Sequence, residues 1–401
     1  MSSGNRPPVP PEKSELSIPF NRPFVTGNET RYIEEAIANM RLAGAGPFTW
    51  RCQEELEKLT GRRRALLTHS ATGALEMAAL LVGVGPGDEV LMPSFTFVST
   101  ANAFVLRGAV PVFVDIRPDT LNLDERRLER AITPRTRAVV PVHYAGVGCE
   151  MAPILEIAER HGLAVVEDAA QGLLSRHEGR PLGAFGACAA LSFHETKNII
   201  SGEGGALLLD DQAWIERAEI LWEKGTDRSK FFRGETDKYT WVDIGSSFLM
   251  SDLAAAFLWA QLEQAETITE ARLAVWRRYH DAFESLEEEG LLRRPIVPDT
   301  CEHNGHLYYL LMADRPARDA LISELRAAGI QAVFHYVPLH SSPAGQRFGR
   351  AAGELPETDR ASGRLVRLPL WVGMTEGDVA RVAETIGSFL QREGKPAQSS
   401  A

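Results

Sequence analysis

The stretch Leu163-Ala-Val-Val-Glu-Asp-Ala-Ala-Gln171 is an apolar run that ends in acidic and amide side chains. Such a run is typical of a strand buried on both faces of a parallel sheet. Similar runs precede it at Glu89–Met92, Pro111–Asp115 and Arg137–Val142. Segments of helical period lie between them, and Met151–His161 has an apolar stripe with a period of about 3.6 residues. This alternation predicts an α/β doubly wound sheet.

The later part of the chain departs from that alternation. Two candidate strands, Ala189–Phe193 and Ala206–Leu209, are joined by a short glycine-rich segment, which predicts an antiparallel pair added to the sheet. A long helical pattern follows, and after it come strands and helices that predict a small α+β domain. The expected organisation is a disordered tail, a large domain, a long helix with a small C-terminal domain and a second disordered tail, over residues 1–16, 17–250, 251–393 and 394–401.

The composition is that of a globular protein of enzyme size. The chain has 401 residues, 44% of them hydrophobic, enough for one large core and a smaller one. A formal net charge of -11 gives no electrostatic reason to expect nucleic acid or an anionic membrane as partner. No apolar run of about 18 residues predicts a membrane span, and no N-terminal segment predicts secretion. Four dispersed cysteines argue against zinc and disulfides, so we expect no metal and a cytoplasmic protein.

The acid at the end of the quoted strand is the first candidate site residue. Asp168 lies at a C-terminal strand end, where ligands bind in open α/β sheets. A carboxylate there can keep the ring nitrogen of a pyridoxal cofactor protonated, which makes the ring an electron sink. Gln171, one turn later, can donate a hydrogen bond to the phenolic oxygen of that ring. The alternative for Asp168 is an ordinary helix cap.

A second candidate is Leu66–Leu75, where a strand leads into small residues that begin a helix. The free N–H groups of a helix start bind anions, so we predict that Ser70, Ala71 and Thr72 hold a phosphate. Ordinary helix capping is the alternative. The sequence has neither GxGxxG nor GxxxxGK[ST], so the fingerprints of dinucleotide sites and P-loops are missing.

The segment Ser192-Phe-His-Glu-Thr-Lys-Asn198 contains one lysine and precedes the glycine-rich Gly202-Glu-Gly-Gly205. Desolvation and a cationic ring both lower the pKa of a lysine amine, which suits it to form a Schiff base and to move protons. We predict Lys197 as the catalytic residue and as the attachment point of the cofactor. Ser192 is predicted to reach the cofactor phosphate. A solvated loop lysine is the alternative.

Two further candidates follow other strand ends. Phe97, in Pro93-Ser-Phe-Thr-Phe97, is predicted to stack on the flat ring, with a core role as the alternative. His143 follows the strand Arg137–Val142 and is predicted to contact ligand or merely to pack.

The candidate segments, taken in chain order, resemble those of the nucleotide-sugar aminotransferases of the DegT/StrS family, and the resemblance extends from about Ile18 to Leu390. The motifs that carry the resemblance are the Ser70–Thr72 turn, Pro93-Ser-Phe-Thr-Phe97, Pro141-Val-His-Tyr-Ala-Gly146, Val166-Glu-Asp-Ala-Ala-Gln171 and Ser192–Asn198 with Gly202–Gly205. The resemblance implies fold type I of the pyridoxal-phosphate-dependent transferases. That fold has a large mixed-sheet α/β domain and a smaller C-terminal α+β domain, and its homodimers share active sites at the subunit interface.

The resemblance also implies an activity. Three segments are similar to enzymes that make dTDP-4-amino-4,6-dideoxygalactose, a precursor of surface polysaccharides: His194–Asn198, Lys238–Ser247 and Phe334–Ser342. The implied reaction moves the amino group of L-glutamate to C4 of dTDP-4-keto-6-deoxy-D-glucose, with pyridoxal 5′-phosphate as cofactor. The implied cofactor contacts are those predicted above, at Ser70–Thr72, Asp168, Gln171, Ser192 and Lys197.

The chain departs from the family pattern twice. Many relatives have an Asn of the partner subunit at the phosphate, within a Gly-x-Asn-Tyr-Arg motif. Here the stretch reads Gly245-Ser-Ser-Phe-Leu249, and Ser247 is predicted to take the place of that Asn. Glu195-Thr196 stands where relatives have a His-Pro pair.

Substrate contacts are expected in two places. A basic site for the nucleotide diphosphate is predicted at Arg228 in a polar loop with Lys230, Arg233 and Lys238, with a solvated loop as the alternative. From the small domain, His335, Tyr336 and His340 are predicted to line the sugar pocket, with structural roles as the alternative.

Three other functions remain open. The first is an aminotransferase with different regiochemistry or stereochemistry. The second is a sugar 3-dehydratase, in which a histidine replaces the Schiff-base lysine, so Lys197 speaks against it. The third is a non-catalytic regulator that binds the cofactor or a sugar nucleotide, which the set Lys197, Asp168 and Gln171 disfavours.

Overall fold

The computed structural model describes residues 17–393, so both predicted tails lie outside the described residues. Fourteen α-helices occur in this range: α1 Glu29–Ala38, α2 Pro47–Thr60, α3 Ala71–Val82, α4 Val98–Val105, α5 Met151–His161, α6 Gln212–Trp222, α7 Arg228–Phe232, α8 Asp252–Leu262, α9 Ala265–Ala282, α10 Glu284–Glu288, α11 Arg315–Ala327, α12 Pro343–Phe348, α13 Pro356–Arg364 and α14 Glu376–Glu393. Within 17–393, none of these helices has the length and apolar content needed to cross a membrane.

The same range contains fourteen strands: β1 Arg64–Thr68, β2 Glu89–Pro93, β3 Val110–Val114, β4 Thr136–Val139, β5 Ala164–Asp168, β6 Arg176–His177, β7 Arg180–Pro181, β8 Cys188–Ser192, β9 Gly205–Leu209, β10 Cys301–Glu302, β11 Tyr308–Leu311, β12 Val333–Phe334, β13 Arg350–Ala351 and β14 Leu365–Leu368. They form one sheet of eight strands and two sheets of three.

The large sheet has the strand order β1-β9-β8-β5-β4-β2-β3-β13. β9 is antiparallel to its neighbours β1 and β8, whereas the other neighbouring pairs are parallel. The predicted parallel strands and the antiparallel β8–β9 pair are therefore confirmed. Apolar clusters cover both faces of this sheet, which explains why its strands read as continuous apolar runs.

The small domain is built on an antiparallel sheet of order β11-β14-β12. Helices α9, α11 and α14 contribute Tyr279, Leu321 and Ile386 to its buried core. Ile18 joins this core and forms a parallel bridge with Ile330, so the first described residues pack on the small domain.

The long helical pattern after residue 250 is three helices rather than one. α8 shares its core with α1, α2 and the large sheet, so it belongs to the large domain. Ala265 and Ile268 of α9 still contact that core, whereas Val275 and Tyr279 lie in the small-domain core. The expected boundary at residues 250/251 is thus too early, because the change of core takes place within α9.

Candidate active site

Asp168 ends β5, and its carboxylate is held in place by two donors. Thr100 Oγ1 donates to one oxygen at 2.7 Å, and the Ala170 N–H donates to the other at 3.2 Å. Thr96 Oγ1 lies 2.8 Å from Thr100 Oγ1. Because the single hydroxyl hydrogen of Thr100 goes to Asp168, Thr96 is the donor in that second bond. The carboxylate keeps free lone pairs for one more donor, as a protonated ring nitrogen requires.

Gln171 is fixed between the two domains. Its Oε1 accepts a hydrogen bond of 2.7 Å from the Ala145 N–H, and its Nε2 donates to the Tyr336 hydroxyl at 3.2 Å. An amide nitrogen carries two hydrogens, so one donor remains for a ligand. This arrangement supports the predicted bond from Gln171 to the phenolic oxygen of the cofactor.

Lys197 lies in the loop between β8 and β9, and its backbone N–H donates to the His194 carbonyl at 2.8 Å. Burial lowers the pKa of its amine to about 8, the nearby Asp168 carboxylate opposes that shift, and the positive charge of Arg367 adds to it. A lysine with a lowered pKa is neutral in a substantial fraction near neutral pH, and only the neutral amine is a nucleophile. The alternative of an ordinary solvated loop lysine does not fit this setting.

The predicted phosphate site lies at the start of α3. Ser70 is the N-cap residue, and its Oγ accepts the Gly73 N–H at 3.0 Å. The N–H groups of Ala71 and Thr72 precede the first helical hydrogen bond and remain available to an anion. Thr72 Oγ1 lies 2.7 Å from Ser99 Oγ, which orients its hydroxyl. The turn therefore offers two main-chain donors, whereas the Ser70 hydroxyl oxygen already caps the helix.

The chain brings Ser192 to the same turn through the strand register. Ser192 is paired with Gly205, which is also paired with Thr68 at the end of β1. A Cβ on Gly205 would lie 2.4 Å from the Ala71 nitrogen, so only glycine lets β9 pass this close to the helix start. Ser192 and Lys197 also line one small cavity together with Gln171.

A network that the sequence did not predict supports the Lys197 loop. Asn198 Nδ2 donates to the Asn304 carbonyl at 2.8 Å, so its Oδ1 faces His306 and accepts from His306 Nδ1 at 2.9 Å. Burial and the charge of Lys197 lower the pKa of His306, which keeps its ring neutral. Asn304 and His306 also line the cavity. They precede β11, about 100 residues after Lys197, so no local pattern could reveal them.

Aromatic side chains from both domains form a cluster next to Gln171, which donates a hydrogen bond to the Tyr336 hydroxyl. Phe95 is fully buried, and its ring centroid lies 5.2 Å from Tyr144 and 5.4 Å from Tyr336. The Tyr144 hydroxyl lies 3.0 Å from His335 Nδ1. Phe97, by contrast, is 59% exposed, which leaves its ring open to a ligand. Of the residues predicted in the small domain, Tyr336 and His335 therefore do approach the site.

Two predicted substrate contacts have structural roles instead. His143 is completely buried, with Nε2 2.9 Å from Glu167 and Nδ1 accepting the Cys149 N–H at 3.1 Å, so its ring has no free nitrogen for a substrate. His340 Nδ1 lies 2.8 Å from Ser94 Oγ and its Nε2 lies 3.5 Å from Asp359. For His143 the structure supports the packing alternative and not the ligand contact, because its partner Glu167 lies on the neighbouring strand, which a local pattern does not reveal.

The basic loop that was predicted to bind the diphosphate is largely neutralised by carboxylates. Arg233 lies 2.7 Å from both Glu219 and Glu235. Arg228 Nη1 lies 4.0 Å from Glu223 Oε2, and its guanidinium also contacts the Tyr239 ring. None of these contacts connects the loop with Lys197, so its role as a diphosphate site stays a prediction. Ser247 is exposed in the same region, and its predicted role stays a prediction.

The described residues fit pyridoxal phosphate on three counts. A carboxylate with spare lone pairs lies close enough to affect the Lys197 amine, the amine itself has a lowered pKa, and a helix start with free N–H groups lies beside Ser192. An acid for the ring nitrogen, an amine for the aldehyde carbon and donors for a phosphate form the set that this cofactor requires. The fold and the site together define a pyridoxal-phosphate-dependent enzyme of fold type I.

The chain belongs to the DegT/DnrJ/EryC1/StrS aminotransferase family, whose family model matches residues 24–387. It is 34% identical to the spore coat polysaccharide biosynthesis protein SpsC of Bacillus subtilis, an alignment that covers 95% of this chain and 99% of SpsC. It is 33% identical to GDP-perosamine synthase of Caulobacter vibrioides, over 92% of this chain and 97% of that enzyme.

Solved structures agree with this assignment. The aminotransferase TlmJ of Streptoalloteichus hindustanus superposes with a TM-score of 0.86 at 30% identity, covering 94% of this chain and 100% of TlmJ. The sugar aminotransferase Spr1654 of Streptococcus pneumoniae, in its PLP form, gives a TM-score of 0.85 at 26% identity, covering 94% and 99%. The predictions of fold type I, of the family and of pyridoxal phosphate are confirmed, and the chain is a sugar aminotransferase.

Proposed function

We propose that the enzyme moves the amino group of L-glutamate to C4 of dTDP-4-keto-6-deoxy-D-glucose, forming dTDP-4-amino-4,6-dideoxy-D-galactose and 2-oxoglutarate. The observation that carries transamination is the buried Lys197 amine opposite the Asp168 carboxylate. The sugar is supported by the similarity of His194–Asn198, Lys238–Ser247 and Phe334–Ser342 to enzymes with that product.

Each site residue has a definable task. When bound, pyridoxal phosphate supplies an electron sink for the carbon that gains or loses the amino group. Lys197 Nζ holds the cofactor between turnovers. Its freed amine removes a proton from the α-carbon of the amino donor in the first half-reaction and delivers one to C4 of the sugar in the second. Asp168 keeps the ring nitrogen protonated. Gln171 orients the ring through its remaining N–H, and the Ala71 and Thr72 N–H groups with Ser192 anchor the phosphate.

The central test replaces the lysine. Lys197→Ala is expected to lose the visible absorbance of the lysine-bound cofactor and all turnover, because Lys197 is the only lysine among residues 17–393 that lines the cavity. Lys58→Ala is the matched control, since Lys58 is exposed on α2 and pairs with Glu55 at 3.2 Å, far from the cavity lining. Retention of both signals by Lys197→Ala would refute the assignment. Bleaching of the wild-type absorbance by L-glutamate separates an enzyme from a non-catalytic regulator.

A second nucleotide is a candidate for the substrate. The similarity to GDP-perosamine synthase favours a GDP-linked sugar as the alternative. Incubation of the enzyme and L-glutamate with dTDP-, GDP- or UDP-linked 4-keto-6-deoxy sugars, followed by NMR of each product, decides between them. The proposal expects the highest kcat/KM with the dTDP sugar and an axial amine at C4. An equatorial amine or an amine at C3 would instead identify an aminotransferase of different stereochemistry or regiochemistry.

We also propose that the enzyme is a homodimer in the cytoplasm. Its support is a group of exposed apolar side chains in the segment that carries Ser247: Trp241, Val242 and Ile244, which are 78%, 50% and 44% exposed. Sedimentation velocity is expected to show a dimer for the wild type and a weaker dimer for Trp241→Asp. A monomeric wild type with full activity would contradict shared active sites. Reducing conditions in the cytoplasm suit the four cysteines, which are all unpaired.

A further inference from the structure

A short segment, residues 304–306, passes between the two domains beside the Lys197 loop. We call it the crossing segment. Before it, β10 pairs with β6 of the large domain, and after it β11 enters the small-domain sheet. Asn304 is 2% exposed and lines the same cavity as Lys197. The buried Arg272 guanidinium of α9 donates to two carbonyls of the segment at 3.2 and 2.7 Å. The crossing segment is therefore held against α9 at two points.

The Asn304 side chain is bonded to the turn that follows β5. This turn, residues 169–175, is called the Gln171 turn below. Asn304 Nδ2 donates to the Gln171 carbonyl and to the Leu173 carbonyl, each at 2.8 Å, which uses both of its hydrogens. Among the residues that the structure describes, no main-chain N–H donates to either carbonyl. The turn also contains Leu174 at φ 65°, a left-handed conformation that bulky apolar residues rarely adopt. A strained turn persists only where its surroundings fix it, and the Asn304 amide supplies that constraint.

The main chain of Asn304 is bonded to the lysine loop, residues 193–201. Asn198 follows Lys197 directly, and its Nδ2 donates to the Asn304 carbonyl at 2.8 Å. Its Oδ1 accepts from His306 Nδ1 at 2.9 Å, so the crossing segment holds the Asn198 amide at both ends. The hydrogen bonds of the Asn304 side chain, by contrast, go to the Gln171 turn and to the His306 N–H within the crossing segment. Asn304 is thus the residue at which the Gln171 turn and the lysine loop are connected.

This connection bears on the distance between the amine and the carbon that it serves. The Gln171 turn follows Asp168, so its place decides where the predicted contacts to the cofactor ring lie. The lysine loop decides where the amine lies. Reacting atoms must approach to about 3–3.5 Å, and a displacement of about 1 Å can lower a rate roughly 100-fold. Proton transfer by Lys197 therefore requires that the loop and the turn keep a fixed separation.

We propose that Asn304 positions Lys197 for proton transfer by fixing the lysine loop relative to the Gln171 turn. Asn304 is a positioning residue, because it acts through Asn198 on one side and through the Gln171 carbonyl on the other. His306 shares this task, since its Nδ1 holds the second end of the Asn198 amide. The inference rests on the role of Lys197 in the proposed function.

The kinetic test compares Asn304→Ala with the wild-type holoenzyme. Alanine keeps the main-chain carbonyl that Asn198 contacts and removes only the amide that contacts the turn. The rate of bleaching at saturating L-glutamate is expected to fall roughly 10- to 100-fold. Its isotope effect with α-deuterated L-glutamate is expected to rise, because proton transfer becomes the slow step, whereas the Kd for L-glutamate stays unchanged. A variant that is merely less stable has fewer active molecules but keeps the rate constant and the isotope effect.

Replacement of His306 tests the same connection with a smaller change. The amide nitrogen of asparagine can take the place of histidine Nδ1, whereas that of glutamine takes the place of Nε2. His306→Asn is therefore expected to keep the donor to Asn198 and an isotope effect close to that of the wild type. His306→Gln is expected to raise the isotope effect as Asn304→Ala does. Asn21→Ala is the control, because Asn21 Nδ2 donates to the Glu195 carbonyl of the lysine loop at 3.2 Å from outside the crossing segment.

Hydrogen exchange of the full-length, cofactor-free protein tests the connection without turnover. In Asn304→Ala, peptides from the lysine loop are expected to exchange faster together with those from the Gln171 turn, although the replaced side chain contacts only the turn. Peptides from β2 serve as the control for general destabilisation. Faster exchange confined to the turn, or a wild-type isotope effect in Asn304→Ala and His306→Gln, would overturn the proposal and leave Asn304 a purely structural residue. If L-glutamate does not bleach the wild type, the proposed function fails, and exchange alone decides whether Asn304 connects the two segments.

Discussion

Two adjacent carboxylates, Glu167 and Asp168, have opposite tasks because consecutive side chains of β5 point to opposite faces of the sheet. Glu167 accepts the N–H groups of Gly183 and Gly186 and contacts His143. Burial alone would raise the pKa of this carboxyl, but these hydrogen bonds and the charge of Arg62 lower it overall. Glu167 thus anchors a loop as a permanent anion. Asp168 points to the site, and its orientation depends on Thr100.

The Thr100 hydroxyl is therefore predicted to matter for catalysis without touching substrate. Thr100→Val keeps the shape of the side chain but removes a charge-assisted hydrogen bond, so kcat is expected to fall roughly tenfold, equivalent to ~1.5 kcal/mol. The Kd for L-glutamate is expected to change little. Thr96→Val is the control, because Thr96 donates only to Thr100 and its loss leaves the Asp168 contact in place. Equal effects of both variants would mean that packing, not the bond to Asp168, is responsible.

At the scale of single residues, the sequence reveals those site residues that directly follow an apolar strand. Asp168, Gln171 and Lys197 were all predicted from apolar runs that end in a polar side chain, and the structure brings them to one site. His306 was missed, since it reaches the cavity from the segment before β11, and only the tertiary fold decides which residues of that segment meet the Lys197 loop. The sequence left two roles open for His143, because its buried partner Glu167 lies on a different strand of the large sheet.

At the scale of elements, the phosphate site depends on how closely β9 passes the start of α3. A Cβ at Gly205 would lie 2.4 Å from the Ala71 nitrogen and 2.5 Å from the Ser70 carbonyl carbon, both of them backbone atoms. A Cβ at the neighbouring Gly204 would instead meet the Ser201 hydroxyl and the Met250 methyl group at 2.3 and 2.4 Å. Ends of side chains can rotate away, whereas the helix start cannot move without changing its free N–H groups.

These two glycines form a matched pair for mutation. Gly205→Ala is expected to weaken pyridoxal phosphate binding by about tenfold or more, since it displaces the N–H groups that bind the anion. It is also expected to destabilise the protein by about 1–3 kcal/mol through overpacking. Gly204→Ala is expected to affect stability without a comparable loss of cofactor affinity. Spectrophotometric titration of the cofactor and thermal unfolding measure the two quantities, and equal cofactor affinities in both variants would rule out this role for Gly205.

The elements of the large domain were more predictable than those that join the domains. Apolar runs identified β5, β8 and β9, because a strand buried on both faces has a composition unlike that of a surface helix. The pattern after residue 250 gave one long helix instead of α8, α9 and α10. The hydrophobic pattern of this segment has a helical period throughout. The breaks between the three helices depend on how the segment packs against the two cores, which is a property of the tertiary structure.

At the scale of the whole molecule, the site is a junction between two cores. Gln171 donates to Tyr336, and Tyr144 contacts His335, so both of these polar contacts join the large domain to the small one. Lys197 lines a cavity with Gln171 of the large domain and with Asn304 and His306, which precede β11, so residues outside its own loop contribute to its desolvation. A change in that packing must change the pKa of the amine.

The charge of Lys197 is accordingly predicted to oppose folding of the cofactor-free protein. Burial lowers its pKa from 10.5 to about 8, so between these values the unfolded chain binds more protons and stability rises with pH. Below pH 8 the protonated amine costs up to about 3 kcal/mol. Calorimetry is expected to give cofactor-free Lys197→Met a higher Tm than the wild type at pH 7, by a few degrees, with the difference shrinking from pH 8 to 10.

A Tm difference between Lys197→Met and the wild type that shrinks as the pH rises is the result that attributes the effect to the buried amine. Lys58→Met, at an exposed side chain on α2, is expected to match the wild type at every pH. A Tm difference that does not vary with pH would assign the effect of Lys197→Met to its apolar contacts. A lower Tm for Lys197→Met at pH 7 would show that the amine is already solvated in the cofactor-free protein, so that the two domains separate when the cofactor leaves.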